Sequence, residues 1–542
     1  MDSHFFAPLF QTADSEPDRP FSVLLIGAER IEVSYAAMAT HSGRWAACLR
    51  QTGVGTGDVV IIMIEHGLDL YAAFVGATML GAVPAIMPLS TAKQDPALFW
   101  PAHKALFARI RPKALVTSER GGTEIKTFLD PDNLAVITPR QVAEIAPDLA
   151  LHPVDKDSLL LLQHSSGTTS LKKGVALSHG AVRRQVSAYA RALGYRRGES
   201  IASWLPLYHD MGLVTSFLMP AVMGSTIVSL DPFEWVMRPH RLFEAMQEHG
   251  CAWTWMPNFA FEHLVRTDDP EYRFELAQVR GFVNCSEPCK RGSFARFLQQ
   301  FERHGVQHSM LQTCYAMAET VFAITQSSPA RPPAALRDLI DVSTLPGGIS
   351  VPDTVSVGDP IEGMEVQLLD ASGTAVPDGV PGEIAVRAPY LFEGYFKLPE
   401  ATRAAFLDDW YRTGDIGVRV AAELFIIGRT KDLIIVHGKN IVAHQIEELM
   451  AAIQGIKPGR SVAFGVHDEF EGSEGLVVVA ELSRGDMPQS RVIRRAVRES
   501  IFNAVGIYPS KVLLTEPGWL VKTTSGKISR EENRKKYLAG MQ

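Results

Sequence analysis

Residues 161–175 read LLQHSSGTTSLKKGV: an apolar run that opens into serine, threonine, glycine and lysine. Hydroxyls, backbone N–H groups left open by glycine, and ammonium groups are what a polyphosphate needs around it. The segment is not a Walker A loop, because GxxxxGK[ST] cannot be aligned to it. On composition alone a plain polar surface loop accounts for it as well. Five further segments carry the same kinds of groups: WLPLYHDMGL at 204–213, QTCYAMAET at 312–320, YRTGDIG at 411–417, IGRTKD at 427–432 and KTTSGKI at 522–528. Acidic, basic and hydroxyl side chains recur in them beside glycines, a set suited to binding a nucleotide and neutralising its charge.

Taken together and in this order, the six segments resemble the adenylate-forming superfamily of acyl-CoA synthetases, peptide-synthetase adenylation domains and luciferases. The resemblance runs from about residue 30 to 535 and is strongest to the fatty acyl-AMP ligases. Ala318 in the glutamate motif, WLPLYHDMGL, TKDLIIVHGKN at 430–440 and GIKPGRSVAFGV at 455–466 carry that narrower likeness. It implies an ATP-dependent conversion of a carboxylic acid, a fatty acid by this likeness, into acyl-AMP and pyrophosphate. ATP and Mg2+ are the implied cofactors.

The resemblance also implies roles for individual residues. Ser165, Ser166, Gly167, Thr168, Thr169 and Lys173 hold the ATP phosphates. Glu319 binds Mg2+ and Thr320 contacts the α-phosphate. Tyr315 stacks on adenine, with Ser286 and Glu287 near the base. Asp415 accepts from the ribose hydroxyls, a task suited to an ionised, acceptor-only carboxylate. Arg429 meets ribose and phosphate, Lys527 bridges the carboxylate and the α-phosphate, and His209 gates the acid pocket. Lys431 is the implied hinge. Blander roles stand beside these: a turn cap for Asp415, a helix cap or ion pair for Glu319, a core position for His209, a solvated tail for Lys527. Trp253, Trp255, Met256 and Phe259 suit a core or an acid pocket equally.

Several positions depart from the common pattern: Ser170, Lys172, Ala316, and His444 after HGKN. None removes Glu319, Asp415, Arg429 or Lys527, so an active enzyme is expected. The acyl acceptor is expected to be the phosphopantetheine thiol of a separate acyl carrier protein, since the chain ends soon after Lys527. Coenzyme A is the nearest alternative, and a degenerate nucleotide-binding relative is a further one. Arg183, Arg184, Arg191, Arg196 and Arg197 lie close in sequence and form a candidate basic dock for an acidic carrier.

Composition sets the outer limits. Hydrophobic residues make up 46 % of the 542, charged residues 21 %, and the net charge is −7. This is a globular composition without the basic footprint of a nucleic-acid binder. Five cysteines without a CxxC pair point to thiols in a reducing cytoplasm rather than a disulfide framework. The N-terminus lacks a basic segment followed by an apolar one, so no signal peptide is read there. The apolar run 70–89 contains Pro84 and Pro88, which argue for a buried helix and strand rather than a membrane span.

The positioning elements follow from hydrophobic periodicity. Helices are expected at 35–51, 68–80, 179–193 and 240–249, alternating with strands at 58–64, 83–88, 114–117, 134–137, 158–163, 201–205, 225–229 and 252–256. Such alternation predicts βαβ units and a mostly parallel sheet. After about 326 a proline-rich stretch gives way to short alternating strands at 365–369 and 383–386, the signature of a small antiparallel sheet or distorted β-barrel. From 431 the order reads β-α-β-β-α-β. The expected fold is therefore α/β: a large N-terminal domain, 1–430, of layered α/β subdomains with the small β subdomain at about 327–430, then a small mobile α+β domain, 431–542.

Overall fold

A computed structural model describes residues 4–90, 96–128, 134–164, 173–342, 345, 354–436, 439–468, 473–483, 485, 487–522 and 528–540. The fold is mixed α/β, as the alternation predicts. Its largest sheet has nine strands in the order Asp359–Pro360, Ala323–Gln326, Leu311–Ala316, Gly281–Asn284, Trp253–Met256, Ile201–Ser203, Ile227–Leu230, Pro20–Ile26 and Glu29–Ser34. The strands from Leu311–Ala316 to Pro20–Ile26 pair in parallel, and both edges are antiparallel. A second sheet, Val83–Ile86, Val59–Met63, Ala114–Thr117 and Ala135–Ile137, is parallel throughout.

The apolar run at 70–89 lies where its composition puts it. Helix Leu68–Met79 is buried from Leu70 onward and leads into strand Val83–Ile86. A Leu, Phe, Val or Met side chain among them, taken fully from water, contributes about 1.5–3 kcal/mol. Among the described residues no helix is long and apolar enough to cross a membrane.

Two features went unread in the sequence. Strands Leu159–His164 and Gly174–Ser178 pair antiparallel, and the polar segment lies between them in sequence. Strand Gly174–Ser178 also takes Gly394–Tyr395 on its other side. The small β subdomain is a five-stranded antiparallel sheet whose longest members are Trp410–Val420 and Glu423–Arg429. Beyond Arg429, hairpin Leu433–Val436/Lys439–Val442 precedes helix Ala443–Ala451. Three strands, Ile456–Asp468, Ser473–Leu482 and Lys511–Thr515, then stand with helices Ser490–Val505 and Arg530–Ala539. One hydrophobic cluster of this module lies wholly between Ile434 and Leu514. A smaller cluster joins Val442 to Val418, Phe425 and Ile427.

Candidate active site

Three parallel strands of the large sheet end in sequence motifs. Ile201–Ser203 runs into Trp204–His209, Gly281–Asn284 into Ser286 and Glu287, and Leu311–Ala316 into Glu319. All three loops therefore leave the carboxyl ends of parallel strands, where open α/β sheets bind their ligands.

Tyr315 closes the last of these strands and meets the five-stranded sheet. Its hydroxyl donates to Asp415 Oδ2 at 2.6 Å, and Arg429 Nε donates to Asp415 Oδ1 at 2.6 Å. The arginine is fixed by register, because Asp415 and Arg429 are direct cross-strand partners. Asp415 is 5 % exposed, so its charge is sheltered from water while both donors hold it. Burial and the neighbouring Asp415 charge push the Tyr315 phenol well above its ordinary range. It therefore remains a donor at neutral pH. The Asp415 charge also raises the already basic Arg429, so the guanidinium stays protonated.

A second group forms around Glu319. The Tyr395 hydroxyl donates to Glu319 Oε1 at 2.9 Å and lies 3.3 Å from the Tyr411 hydroxyl. Lys173 Nζ sits 4.3 Å from the centre of the Tyr395 ring. The Glu319 carbonyl accepts from Phe392 N at 2.9 Å, which ties the glutamate loop to the segment bearing Tyr395. Burial first and the Glu319 charge second raise the Tyr395 phenol. Tyr411 and Asp415 share strand Trp410–Val420, so the two groups belong to one site. Lys173, Glu319, Tyr315, Asp415 and Arg429 are thus brought together from across nearly half the chain.

The backbone is strained in two of the loops. Ser286 has φ +68° and Val321, directly after the glutamate motif, has φ +66° and ψ −53°. A β-branched residue in that region is an outlier, and such conformations cluster at functional sites.

The AMP-binding enzyme family model matches residues 9–396. The chain belongs to that family. A long-chain-fatty-acid–AMP ligase, FadD26, of Mycobacterium marinum is 30 % identical over 530 residues, covering 89 % of this chain and 87 % of its own. A putative fatty-acid–CoA ligase, fadD25, of Mycobacterium tuberculosis is 29 % identical over 530 residues, covering 90 % and 88 %. Among solved structures, one from work on fatty acyl-adenylate ligases of E. coli and L. pneumophila superposes with a TM-score of 0.88. It is 22 % identical and covers 99 % of this chain and 98 % of its own, which speaks for the fold.

In this AMP-binding enzyme some sequence-derived positions carry other contacts. The Thr320 hydroxyl is fully buried and donates to the carbonyls of Met317 and Phe322, at 3.0 and 2.7 Å. It braces the strained turn rather than facing an open site, so the implied α-phosphate contact gains no support from its placement. Glu287 accepts from Phe259 N at 2.9 Å and so caps the first turn of helix Asn258–Arg266. Ser286 contacts Met211 Sδ at 3.7 Å, which joins its loop to the HDMGL motif. His209 stands just before helix Asp210–Leu213, its ring 4.9 Å from Tyr208. Gly212 in that helix is obligatory by space: a Cβ there would lie 2.4 Å from the Pro206 carbonyl oxygen. A π turn, Val214–Leu218, follows at once, a feature frequent at functional sites.

Trp253, Trp255 and Met256 are core, at most 1 % exposed, with Trp255 Nε1 donating to the Tyr189 hydroxyl at 2.7 Å. Phe259 is open to solvent beside the stacked pair Trp204 and Trp235. Lys431 is exposed in the turn Thr430–Asp432. Ser165, Ser166, Gly167, Thr168, Thr169 and Lys527 lie outside the described residues. Tyr395 and its contact to Glu319 were missed in the sequence, where GYF at 394–396 gives no spacing signal. Tyr411 stood in a quoted motif, but only its aspartate drew notice. All five cysteines are buried free thiols. Among the described residues no group of three or more His, Cys, Asp or Glu could hold a metal. A Mg2+ that takes most of its ligands from phosphate and water needs only one or two carboxylates. Glu319, linked to Lys173 across Tyr395, fits such an ion.

Proposed function

We propose that this enzyme activates a fatty acid as acyl-AMP, releasing pyrophosphate, and then delivers the acyl group to the phosphopantetheine thiol of a separate carrier protein. The observation that carries the first half is the joining of Lys173, Glu319 and Asp415 in one site through Tyr395, Tyr411 and Tyr315. Lys173 supplies positive charge at the end of the 165–172 segment, where the phosphates are placed. Asp415 and Arg429 receive the ribose, and Tyr315 bounds the adenine side. A carboxylate oxygen of the acid attacks the α-phosphorus, and the bond to pyrophosphate breaks. Both reactants are anionic, so positioning and charge neutralisation are the protein's main contributions. Mg2+ bound at Glu319 supplies charge neutralisation on the phosphates. Lys527 brings the acid and the α-phosphate together.

The likeness to a long-chain-fatty-acid–AMP ligase supports a fatty acid and an AMP ligase. A solved relative, the McyG A-PCP with phenylalanyl-adenylate, has a TM-score of 0.88 at 22 % identity, and it pairs an adenylating domain with a carrier domain. The named CoA ligase among the relatives keeps transfer to coenzyme A as the second reading. The deciding experiment offers the enzyme ATP, Mg2+ and a panel of acids, traps acyl-AMP, and adds either coenzyme A or a holo carrier protein. Acyl-AMP from fatty acids, discharged faster to the carrier at matched concentration, is the expected result. Faster discharge to coenzyme A would make it a CoA synthetase, and no acyl-AMP from any acid would sink the proposal.

A further inference from the structure

The arginines between 183 and 197 do not form a free basic surface. Arg183 and Arg184 donate to the carbonyls of His4 and Pro389 at 2.8 Å, Arg191 pairs with Glu362 at 2.5 Å and Arg197 with Glu16 at 3.0 Å. A different surface has the charge and the exposure. Helix Ser490–Val505 buries Ile493, Val497 and Ile501 in the core of the C-terminal module. At about 100° per residue, Arg491, Arg494, Arg495, Arg498 and Phe502 fall within a stripe about 100° wide on its outer flank. All five are exposed. The one acidic residue of the helix, Glu499, is paired with Arg495 at 2.7 Å. Phe502 stacks on Tyr508 with ring centres 4.2 Å apart, both of them open to solvent, and the Arg498 guanidinium lies 5.4 Å from the Tyr508 ring. Arg494 and Arg498 also donate to the carbonyls of Val512 and Pro509, at 3.3 and 3.4 Å, so part of the stripe is held in place. Arginines around an exposed aromatic pair have the composition of a protein interface.

We infer that this stripe docks the acidic helical surface of the carrier protein whose thiol receives the acyl group; the assignment rests on the acceptor reading above. Charge complementarity selects the occupant. From Arg491 to Phe502 the stripe spans about 16 Å, which matches one helix face rather than a tract of nucleic-acid phosphates. It is also a convex helix flank, whereas free nucleotide phosphates are held in concave sites. An acidic helix presents its charges at the same spacing. Opposite charge of this kind acts mainly on the rate of encounter, which makes it sensitive to salt.

The test is the full-length double variant Arg491→Glu with Arg495→Glu. Both side chains point to solvent, and Glu499 is the only ion-pair partner seen for Arg495 among the described residues. Wild type and variant are compared in ATP–pyrophosphate exchange and in acyl transfer to an acidic holo carrier protein, to free pantetheine and to coenzyme A, across a salt series. Thermal melts check that the variant is folded. The expected result is a loss of about tenfold or more in kcat/KM for the carrier, carried by KM, together with a flattened salt dependence. Exchange and transfer to pantetheine stay within about twofold of wild type. A variant that matches wild type with the carrier overturns the docking assignment and leaves the acceptor reading standing. Equal losses with coenzyme A overturn it in favour of a nucleotide-phosphate site. Salt-sensitive binding of a DNA duplex by the wild type, abolished in the variant, overturns it in favour of nucleic acid. A wild type that acylates coenzyme A and not the carrier fails the acceptor reading itself and takes the dock with it.

Discussion

Tyr315 and Asp415, a hundred residues apart, share a 2.6 Å hydrogen bond between the last strand of the parallel sheet and the antiparallel sheet beside it. The bond fixes which way the carboxylate faces, and Arg429 holds its other oxygen. Asp415→Asn keeps the shape but replaces one acceptor oxygen with a donor, which faces Tyr315 or Arg429 wrongly. A hydrogen bond to a charged group contributes about 1.5–3 kcal/mol, so ATP-dependent acyl-AMP formation should fall by about 10- to 100-fold. Tyr315→Phe, which leaves the charge pair intact, should cost less. Equal activity of Asp415→Asn and wild type in pyrophosphate exchange would remove Asp415 from the site.

The motifs were legible because their residue types are chemical and their order is fixed, whereas the contacts between them depend on packing. Helices 35–51 and 179–193 were bounded correctly since each starts on a serine cap, Ser34 and Ser178, and the second ends at Gly194 with φ +60°. Strand Gly174–Ser178 is too short and too uniformly buried to show alternation. Helix Pro96–Ile110 carries Pro101 inside it, which reads as a break. Glu287 is read as lying near the adenine, and a loop glutamate next to a motif gives no hint of the helix turn it also caps. The basic dock at 183–197 failed for a related reason. Arg183, Arg184 and Arg191 share a helix but point in different directions; the first two donate to the backbone carbonyls of His4 and Pro389, and Arg191 and Arg197 pair with Glu362 and Glu16 from distant segments.

Tyr395 holds Glu319 at 2.9 Å. If Glu319 carries Mg2+, Tyr395→Phe frees the carboxylate to wander and weakens that site without removing a charge. The expected outcome is a rise of about 3- to 30-fold in the Mg2+ needed for half-maximal adenylation, with a smaller change in the rate at saturating Mg2+. Glu319→Gln should abolish adenylation at any Mg2+ level. An unchanged Mg2+ titration in Tyr395→Phe would show that this hydrogen bond does not orient the metal ligand.

Gly212→Ala tests the packing of the HDMGL segment. The added methyl would sit 2.4 Å from the Pro206 carbonyl oxygen, closer than real Cβ atoms come to any neighbour. Either the helix or the 206–209 turn must shift, and His209 moves with it. Overpacking of this kind costs about 1–3 kcal/mol. The variant should melt at lower temperature and show a raised KM for the acid, with KM for ATP less affected. A variant with wild-type KM for the acid would argue that His209 and its turn do not border the acid.

His444 departs from the family pattern, and its surroundings give a reason. Its Nε2 lies 2.8 Å from Glu448 and its Nδ1 3.9 Å from Glu447, while Lys290 reaches Glu448 at 2.7 Å from the other side. Arg530 neutralises Glu447 at 2.8 Å. Burial pulls the imidazole down, but the two carboxylates outweigh it and raise His444 from 6.5 to about 9. Burial likewise opposes the ionised Glu448, yet His444 and Lys290 bring it from 4.5 to about 2. A raised histidine stabilises the fold fully below pH 6.5, and the effect fades as pH rises through 9. The lowered glutamate stabilises fully above 4.5 and fades as pH falls toward 2. Wild type should therefore out-melt His444→Gln by the widest margin between about pH 4.5 and 6.5, with the gap closing by about pH 9.5. A gap that stays constant over this range would mean that the imidazole is not charged there.

The last prediction concerns Lys431, which we propose as the hinge between residues 1–430 and 431–542. The large N-terminal cluster ends at Leu424 and the main C-terminal one begins at Ile434, and only a smaller cluster, joining Val418, Phe425 and Ile427 to Val442, spans the point among the described residues. Lys431 itself sits exposed in the short turn Thr430–Asp432. Its neighbour Asp432 is tied to Arg530 at 2.7 Å, so the turn's far side belongs with the C-terminal module. On the near side Arg429 is held by Asp415. Free backbone torsion is thereby confined to the residues between, which is what a hinge requires. Lys431→Pro fixes φ and removes an N–H, so it should lock the turn in one conformation. Under the proposed function, adenylation and acyl transfer pose different geometric tasks for the C-terminal module, because the first would need Lys527 at the α-phosphate and the second would have to admit a thiol. Lys431→Pro should therefore lower acyl transfer by about tenfold or more relative to its own rate of acyl-AMP formation, measured in single-turnover assays. Lys431→Ala should be near wild type in both, since the backbone and not the ammonium is at issue. Equal loss of both half-reactions in the proline variant would place the hinge elsewhere.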